Sequence, residues 1–85
     1  MQKDGPYKWQ VQQYTGIDND IKSDCNAIIF YNAGATAVAI NNFPLAAKDR
    51  LILGGNENEI DTTIYTASFT TGSGLLIVMR KYYTQ

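Results

Sequence analysis

The side chains that could carry chemistry are few in this sequence, because its 85 residues include no histidine and a single cysteine. Without imidazole there is no His-based acid–base catalysis and no His-containing zinc site. An activated Ser, Thr or Cys nucleophile would also lack its usual base. Cys25 cannot form a disulfide within the chain, and the adjoining Asp24 should raise its pKa. We therefore expect a non-enzymatic protein with no cofactor, in which Cys25 is a small core or interface residue.

The acidic residues between positions 15 and 24 are the best metal candidates. Asp18, Asp20 and Asp24 could converge on a hard cation such as calcium. The spacing departs from a calcium loop, since Lys22 occupies the next alternating position and no bidentate Glu follows. We expect a solvated polar loop over 15–24, with no metal. A second alternating set should simply be solubilising charge and comprises Glu57, Glu59 and Asp61.

Aromatic side chains carry more information, since the chain has one Trp and six Tyr. Such rings stack on bases or sugars, and they are also enriched at protein interfaces. Single-stranded nucleic acids additionally require a positive groove. The seven Lys and Arg are spread along the whole chain, with one basic–aromatic group at 80–83. We expect no nucleic-acid partner and interpret 80–83 as a strand end that meets a neighbouring subunit.

The elements that must position these residues are strands, because apolar and polar residues alternate with a period of two. Tyr7, Trp9 and Val11 would form one face of a half-buried strand over 7–14. The final strand, 75–83, is apolar on both faces as far as Arg80. Other predicted strands cover 26–32, 36–41, 51–53 and 60–70.

A hairpin is predicted from the segments 26–32 and 36–41, joined by a turn at 32–35. Gly34 would take positive φ in that turn. In the returning strand, Ala37 and Ala39 make one face thin, which would let another sheet or subunit approach closely.

Turns about every 8–12 residues, with no helical periodicity, indicate an all-β fold. We predict a single small antiparallel β-sandwich or barrel of about six to seven strands, immunoglobulin-like or jelly-roll-like. It would span residues 1–85 as one domain. Residues 1–5 offer little to a core and would form an N-terminal arm that is flexible or contacts a partner.

Size and charge favour association. A domain this short buries only about 60–65% of its unfolded surface, so its core is marginal, and oligomerisation is a common source of further burial. The net charge of −1 gives little repulsion between copies. The first residues contain no apolar run, and Leu75–Met79 is far shorter than the roughly 20 residues that span a membrane. We expect neither a signal peptide nor a membrane partner.

Part of the chain resembles small virion proteins of tailed bacteriophages. The similarity lies in Tyr31–Asn41 with its Asn, Gly and alternating Thr/Val, in Phe43-Pro44-Leu45, and in the closing segment 77–82. It covers about residues 28–83. The resemblance implies a β-sandwich that decorates or joins parts of a capsid, head or tail as a symmetric oligomer. It also implies a location in the virion after synthesis in the host bacterial cytoplasm, with copies of itself and a major capsid or tail protein as partners.

Two functions remain open from the sequence. The first is a structural assembly protein that acts through sheet faces and aromatic anchors. Its expected contact residues are Tyr7, Trp9, Ala37, Ala39, Tyr82 and Tyr83. The alternative is a module that binds carbohydrate or another polymer, with Tyr7, Trp9 and Tyr14 as a stacking platform. A calcium-stabilised extracellular domain is a weaker third possibility.

Overall fold

The computed structural model describes residues 7–55, 59–70 and 74–83, and these residues contain strands and no helix. The predicted N-terminal arm and Glu57 lie outside the described residues. The strands are β1 (Tyr7–Tyr14), β2 (Asp18–Lys22), β3 (Ala27–Asn32), β4 (Val38–Ile40), β5 (Phe43–Leu45), β6 (Arg50–Leu53), β7 (Ile64–Phe69) and β8 (Leu76–Tyr83).

The eight strands form two four-stranded antiparallel sheets that pack as a small sandwich. Sheet A has the order β1-β8-β3-β6, and sheet B has the order β2-β7-β4-β5. Strands equally far from the two ends of the series pair with each other: β1 with β8, β2 with β7, β3 with β6, and β4 with β5. The chain is thus one long hairpin rolled into two sheets, which is a jelly roll. This confirms the all-β prediction and gives eight strands where six or seven were expected.

The core lies between the sheets and is apolar. Phe30 of sheet A meets Tyr65 of sheet B edge to face, with ring centroids 5.1 Å apart. Alternate residues of the central strands β3, β7 and β8 supply most of the buried side chains. In β7, which lies within the predicted strand 60–70, Tyr65, Ala67 and Phe69 are buried together.

The segment 15–24 was predicted as a loop, and this is wrong because it contains β2. Asp18–Lys22 pairs with β7 over five residues. Ile21 is fully buried, whereas Asp18, Asp20 and Lys22 are exposed on the other side. An edge strand with charged residues on its solvent face has the composition of a loop, which hid the strand.

The predicted hairpin over 26–41 is also wrong, because β3 belongs to sheet A and β4 to sheet B. Asn32 is fully buried where the chain crosses, and its Nδ2 donates to the carbonyls of Thr36 (2.8 Å) and Leu45 (3.1 Å). Gly34 has no positive φ. Its role is close approach, since a Cβ there would lie 2.7 Å from the backbone nitrogen of Leu75.

The hairpin in this region joins β4 to β5 through Asn41 and Asn42. Ile40 pairs with Phe43, which leaves these two residues as the loop. Their φ angles are +48° and +70°, as a two-residue hairpin turn of type I′ requires. The side-chain oxygen of Asn41 also accepts a 2.8 Å hydrogen bond from the backbone N–H of Thr66, which ties the turn to β7.

The first strand is correctly placed by the sequence but is not half-buried. Seven of its eight residues are exposed and Tyr14 is intermediate. The reason is its position at the edge of sheet A, where its apolar residues face away from sheet B.

Candidate interaction surface

The outer face of sheet A, which points away from sheet B, is apolar and aromatic. Strand register places the side chains in rows across it. The central row is Val11, Met79, Ile29 and Ile52. The flanking rows are Gln13, Ile77, Tyr31 and Arg50 on one side, and Trp9, Lys81 and Ala27 on the other, with Tyr7 and Tyr83 beyond.

The aromatic end of this face is built around Lys81. Its Nζ lies 4.3 Å from the ring centroid of Tyr7, 4.8 Å from that of Tyr83 and 5.9 Å from that of Trp9. The rings of Tyr7 and Tyr83 meet edge to face with centroids 6.0 Å apart. A cation held over aromatic faces is attracted by their quadrupoles, which makes its charge compatible with an apolar surface.

The aliphatic end is shallow and open. Ile29, Ile52 and Met79 line a depression of about 260 Å³, together with Tyr31 and Arg50. The Arg50 guanidinium carbon lies 5.9 Å from the Tyr31 ring centroid. Val11 and Ile52 are 61% and 59% exposed, so this surface is uncovered in the single chain.

The outer face of sheet A has the area of a typical functional apolar patch, with Gln13, Lys81 and Arg50 as its polar members. Four strands about 4.8 Å apart and on average about 22 Å long give roughly 400 Å² of flat sheet. Single copies of soluble proteins rarely carry apolar patches beyond a few hundred Å², and such patches mark interaction sites. The rows contain two cations, Lys81 and Arg50, and no carboxylate among the described residues.

The structure brings together half of the residues expected at an interface. Tyr7, Trp9 and Tyr83 share the outer face of sheet A. Tyr82 lies on the opposite side, half-buried against the core, with its hydroxyl 3.3 Å from Gln10 Oε1.

Ala37 and Ala39 do not form the thin strand face that the sequence predicted. Ala37 is exposed and precedes β4, and Ala39 is half-buried on the outer face of sheet B. Beside Ala39 is a polar depression of about 390 Å³ lined by Asn41, Asn42, Thr66 and Ser68.

The basic–aromatic group 80–83 is split by strand alternation. Arg80 points inward and is 4% exposed, whereas Lys81 and Tyr83 point outward. The Arg80 Nε donates to the Lys22 carbonyl (2.8 Å), and its terminal nitrogens donate to the side chains of Gln10, Gln12 and Tyr14. Arg80 therefore ties β1 and β8 to sheet B instead of meeting a neighbouring subunit. Tyr14 faces inward, so it does not share a face with Tyr7 and Trp9 as the predicted stacking platform requires.

The outer face of sheet B is polar by contrast. Asp18 accepts a 2.8 Å hydrogen bond from the Ser68 hydroxyl across the β2–β7 pair. Within the described residues, no group of three or more His, Cys, Asp or Glu side chains could hold a metal ion. This face presents hydrogen-bonding groups and charge, with Ile64 as its exposed aliphatic side chain.

A partly buried polar cluster is centred on Asp61. Its carboxylate accepts hydrogen bonds from the Tyr65 hydroxyl (2.6 Å) and the Thr63 N–H (2.9 Å). Burial alone would raise the pKa of Asp61, but these hydrogen bonds outweigh it and lower that pKa. Burial and the bond to Asp61 raise the pKa of Tyr65 to about 12.

The backbone of Cys25 pairs with that of Asp61 in an isolated antiparallel β-bridge, and Cys25 is fully buried. Its pKa is raised mainly by burial, against the opposing charge of Arg80, with smaller raising contributions from Asp61 and Asp24. The pKa of Cys25 is raised, as the sequence predicts, but the predicted cause, the charge of Asp24, is a minor one. A buried thiol of raised pKa is a packing residue and not a nucleophile.

Sequence reasoning missed the aliphatic half of the outer face, namely Val11, Ile29, Ile52 and Met79. The available signal is that both faces of β3 and of β8 are apolar. In a two-layer sandwich only one face of each strand can meet the other sheet. An apolar second face is therefore itself evidence of an interaction surface.

Comparison with known proteins identifies a fold and no family. No family profile and no curated protein matches the chain. A solved structure of a conserved protein of unknown function from Pseudomonas aeruginosa PAO1 superposes with a TM-score of 0.70 at 12% identity. The match covers 93% of this chain and 42% of that protein, so this chain spans less than half of its length. At this identity the likeness supports the sandwich architecture alone.

Among the residues that the structure describes, none forms a helix long and apolar enough to cross a bilayer.

Proposed function

We propose that this protein is a non-enzymatic assembly module that associates with copies of itself through the outer face of sheet A. The observation that carries this proposal is the continuous apolar and aromatic surface centred on Val11, Met79, Ile29 and Ile52. Burying such a surface contributes roughly 25 cal/mol per Å² before the costs of association are subtracted.

The two outer faces of the sandwich support this choice of surface. Sheet A presents aliphatic and aromatic side chains, and sheet B presents Asp, Ser, Thr and Asn. A protein that remained a monomer would gain nothing from the first surface. A symmetric oligomer would bury it while leaving the polar face in water.

A virion role, as a capsid, head or tail component of a tailed bacteriophage, remains the setting suggested by the sequence resemblance. Jelly rolls occur in viral capsid proteins, and they also occur in lectins, so the fold is compatible with that setting without selecting it.

The test uses two lysine substitutions of matched exposure. Ile52 on sheet A and Ile64 on sheet B are 59% and 56% exposed. We expect Ile52→Lys to lower the mass of the associated species in light scattering, because contacts through the outer face of sheet A are lost, and Ile64→Lys to leave that mass unchanged. As a second readout, Trp9 is the chain's single Trp. Its emission should shift to shorter wavelength as the wild type associates and should shift less in Ile52→Lys.

Two outcomes would contradict the proposal: a wild-type monomer across the concentration series, or equal effects of the two lysine variants. Circular dichroism of both variants checks that each retains the β fold.

The carbohydrate-binding alternative draws on the exposure of Trp9 and Tyr7. The glutamines nearest in sequence, Gln10 and Gln12, lie on the opposite face of β1, and Gln13 is about 13 Å further along the strand. Trp9 therefore has no amide donor beside it on its own face among the described residues. A strict monomer whose Trp9 fluorescence responds saturably to a soluble polysaccharide would favour this alternative over assembly.

A further inference from the structure

Four strand edges bound the two sheets, and three of them carry features that discourage pairing with another chain. The edge strand β2 has three charged residues among its five, β5 has three residues and contains Pro44, and β6 has four residues and begins with Arg50. Short edges, charge and proline are the devices by which sheet proteins avoid edge-to-edge association.

The fourth edge, β1, lacks these features. It is eight residues long, carries one charged residue and pairs with β8 in unbroken register from Tyr7 to Tyr14, with no bulge. Among the described residues its pairing partner is β8 alone, so its other side presents a row of backbone donors and acceptors. Nearly every side chain of β1 is also exposed.

We propose that β1 pairs with β1 of a second copy, antiparallel about a two-fold axis, to join two copies of sheet A into one eight-stranded sheet. This rests on the proposed function and extends it, because edge pairing is a second contact between copies that places two outer faces side by side. The second copy is the occupant that the composition of β1 fits. The centre of the strand is uncharged, so a two-fold axis there brings no like charges together.

The axis must be perpendicular to the sheet if the outer faces of both copies are to lie on the same side. Residues that face each other across the axis then carry their side chains on the same face of the sheet. Because side chains alternate between the two faces, the numbers of two such residues must sum to an even number. Of the two registers with the longest overlap, one is centred on Gln10 and the other on Val11. The register centred on Gln10 places Trp9 of each copy beside the partner's Val11. The register centred on Val11 places Trp9 beside the partner's Gln13.

Aromatic and β-branched residues are favourable cross-strand neighbours, so the structure assigns the axis to Gln10. Lys8 then faces the partner's Gln12, and Tyr7 faces the partner's Gln13. The joined sheet would present roughly 800 Å² of flat apolar surface. The pair would thereby carry one continuous docking surface on a single side, available to a further pair.

Cysteine cross-linking tests the pairing and its register. In the proposed arrangement, Gln10 and the partner's Gln10 have Cα atoms about 5 Å apart, which a disulfide can bridge. Gln12 and the partner's Gln12 are about 14 Å apart, beyond that reach. The two glutamines lie on the same strand and face, are both exposed, and both accept hydrogen bonds from Arg80. Q12C is thus a matched control for Q10C.

We expect Q10C, oxidised with copper–phenanthroline, to give several-fold more disulfide-linked dimer than Q12C or V11C. The wild type controls for Cys25, which is buried. Preferential linking of V11C would overturn the assigned register. A wild type that associates in light scattering while neither Q10C nor V11C links would overturn edge pairing and leave the proposed function standing. A wild type that stays monomeric would overturn both.

Discussion

Asp61 shows how single residues set the pH range of the fold. The Tyr65 hydroxyl and the Thr63 N–H donate to its carboxylate, and its backbone pairs with that of Cys25. The hydrogen bonds hold the pKa of Asp61 below its ordinary value despite the opposing effect of burial. A carboxyl whose pKa is lower in the folded state stabilises the fold above its unfolded pKa. That stabilisation is lost as pH falls through the folded pKa.

We predict that Tyr65→Phe lowers the free energy of unfolding by about 1–2 kcal/mol near neutral pH, because a hydrogen bond to a charged and partly exposed acceptor is lost. The difference from wild type should shrink as pH falls through the lowered pKa of Asp61, because the carboxylate that accepts the hydrogen bond becomes protonated. Urea unfolding at a series of pH values measures both effects. Tyr31→Phe, which removes a hydroxyl from the outer face of sheet A, is the control and should leave the pH dependence unchanged. A Tyr65→Phe difference that is constant with pH would contradict the assignment.

Among the secondary-structure elements, the β4–β5 hairpin depends most directly on residue type. Its two loop residues, Asn41 and Asn42, have positive φ, a region that most L residues adopt only at a cost. Asparagine tolerates this conformation and glycine adopts it freely. The turn sits at the centre of the rolled hairpin, so its geometry fixes the pairing from which the other strand pairs extend.

We predict that Asn42→Ala lowers the free energy of unfolding by about 1 kcal/mol, because alanine resists the left-handed conformation. Asn42→Gly should leave it equal or higher. Chemical denaturation of the two variants beside wild type makes the comparison at one backbone position. Equal stabilities for the alanine and glycine variants would show that the turn imposes no such requirement.

The sequence predicts strands better than it predicts their partners. β3, β6, β7 and β8 follow from alternation of residue types, which reports which side chains share a face. Alternation carries no information on which strand lies alongside. The sequence therefore predicts a hairpin turn at Asn32, where the chain crosses from sheet A to sheet B. The buried side chain of Asn32 joins the two sheets there. β2 was missed for another reason: only Ile21 of its five residues is buried and apolar.

The candidate surface was only partly predictable, because it also depends on which strands lie side by side. Aromatic residues near the ends of the chain suggested contacts, and register gathers Tyr7, Trp9 and Tyr83 at one corner of sheet A. The aliphatic rows depend on which side of the sheet faces the other sheet. That depends on long-range pairing and not on local pattern.

The whole molecule is polarised between its two outer faces. The outer face of sheet A carries Lys81 and Arg50, and that of sheet B carries two carboxylates, Asp18 and Asp20, with Lys22 beside them. Copies that stacked sheet A on sheet B would be held partly by opposite charges. Copies joined through sheet A alone would be held by apolar contact and backbone hydrogen bonds.

We therefore predict that the concentration at which half of the protein is associated changes less than about threefold between about 0.05 M and 0.5 M NaCl, because little of the contact is subject to ionic screening. Analytical ultracentrifugation at several salt concentrations measures this. A tenfold or greater weakening at high salt would indicate stacking of sheet A on sheet B instead, through the charges on the two outer faces.

The pairing of β1 with β8 has a consequence for protein synthesis. The two strands are separated by almost the entire chain, and pairing between such distant segments is slow to form. While the ribosome is still translating, β1 has no partner strand, and the outer face of sheet A has only β3 and β6. A copy can present a finished edge to another only after β8 has emerged. The proposed pairing of β1 with a second copy therefore follows the translation of β8.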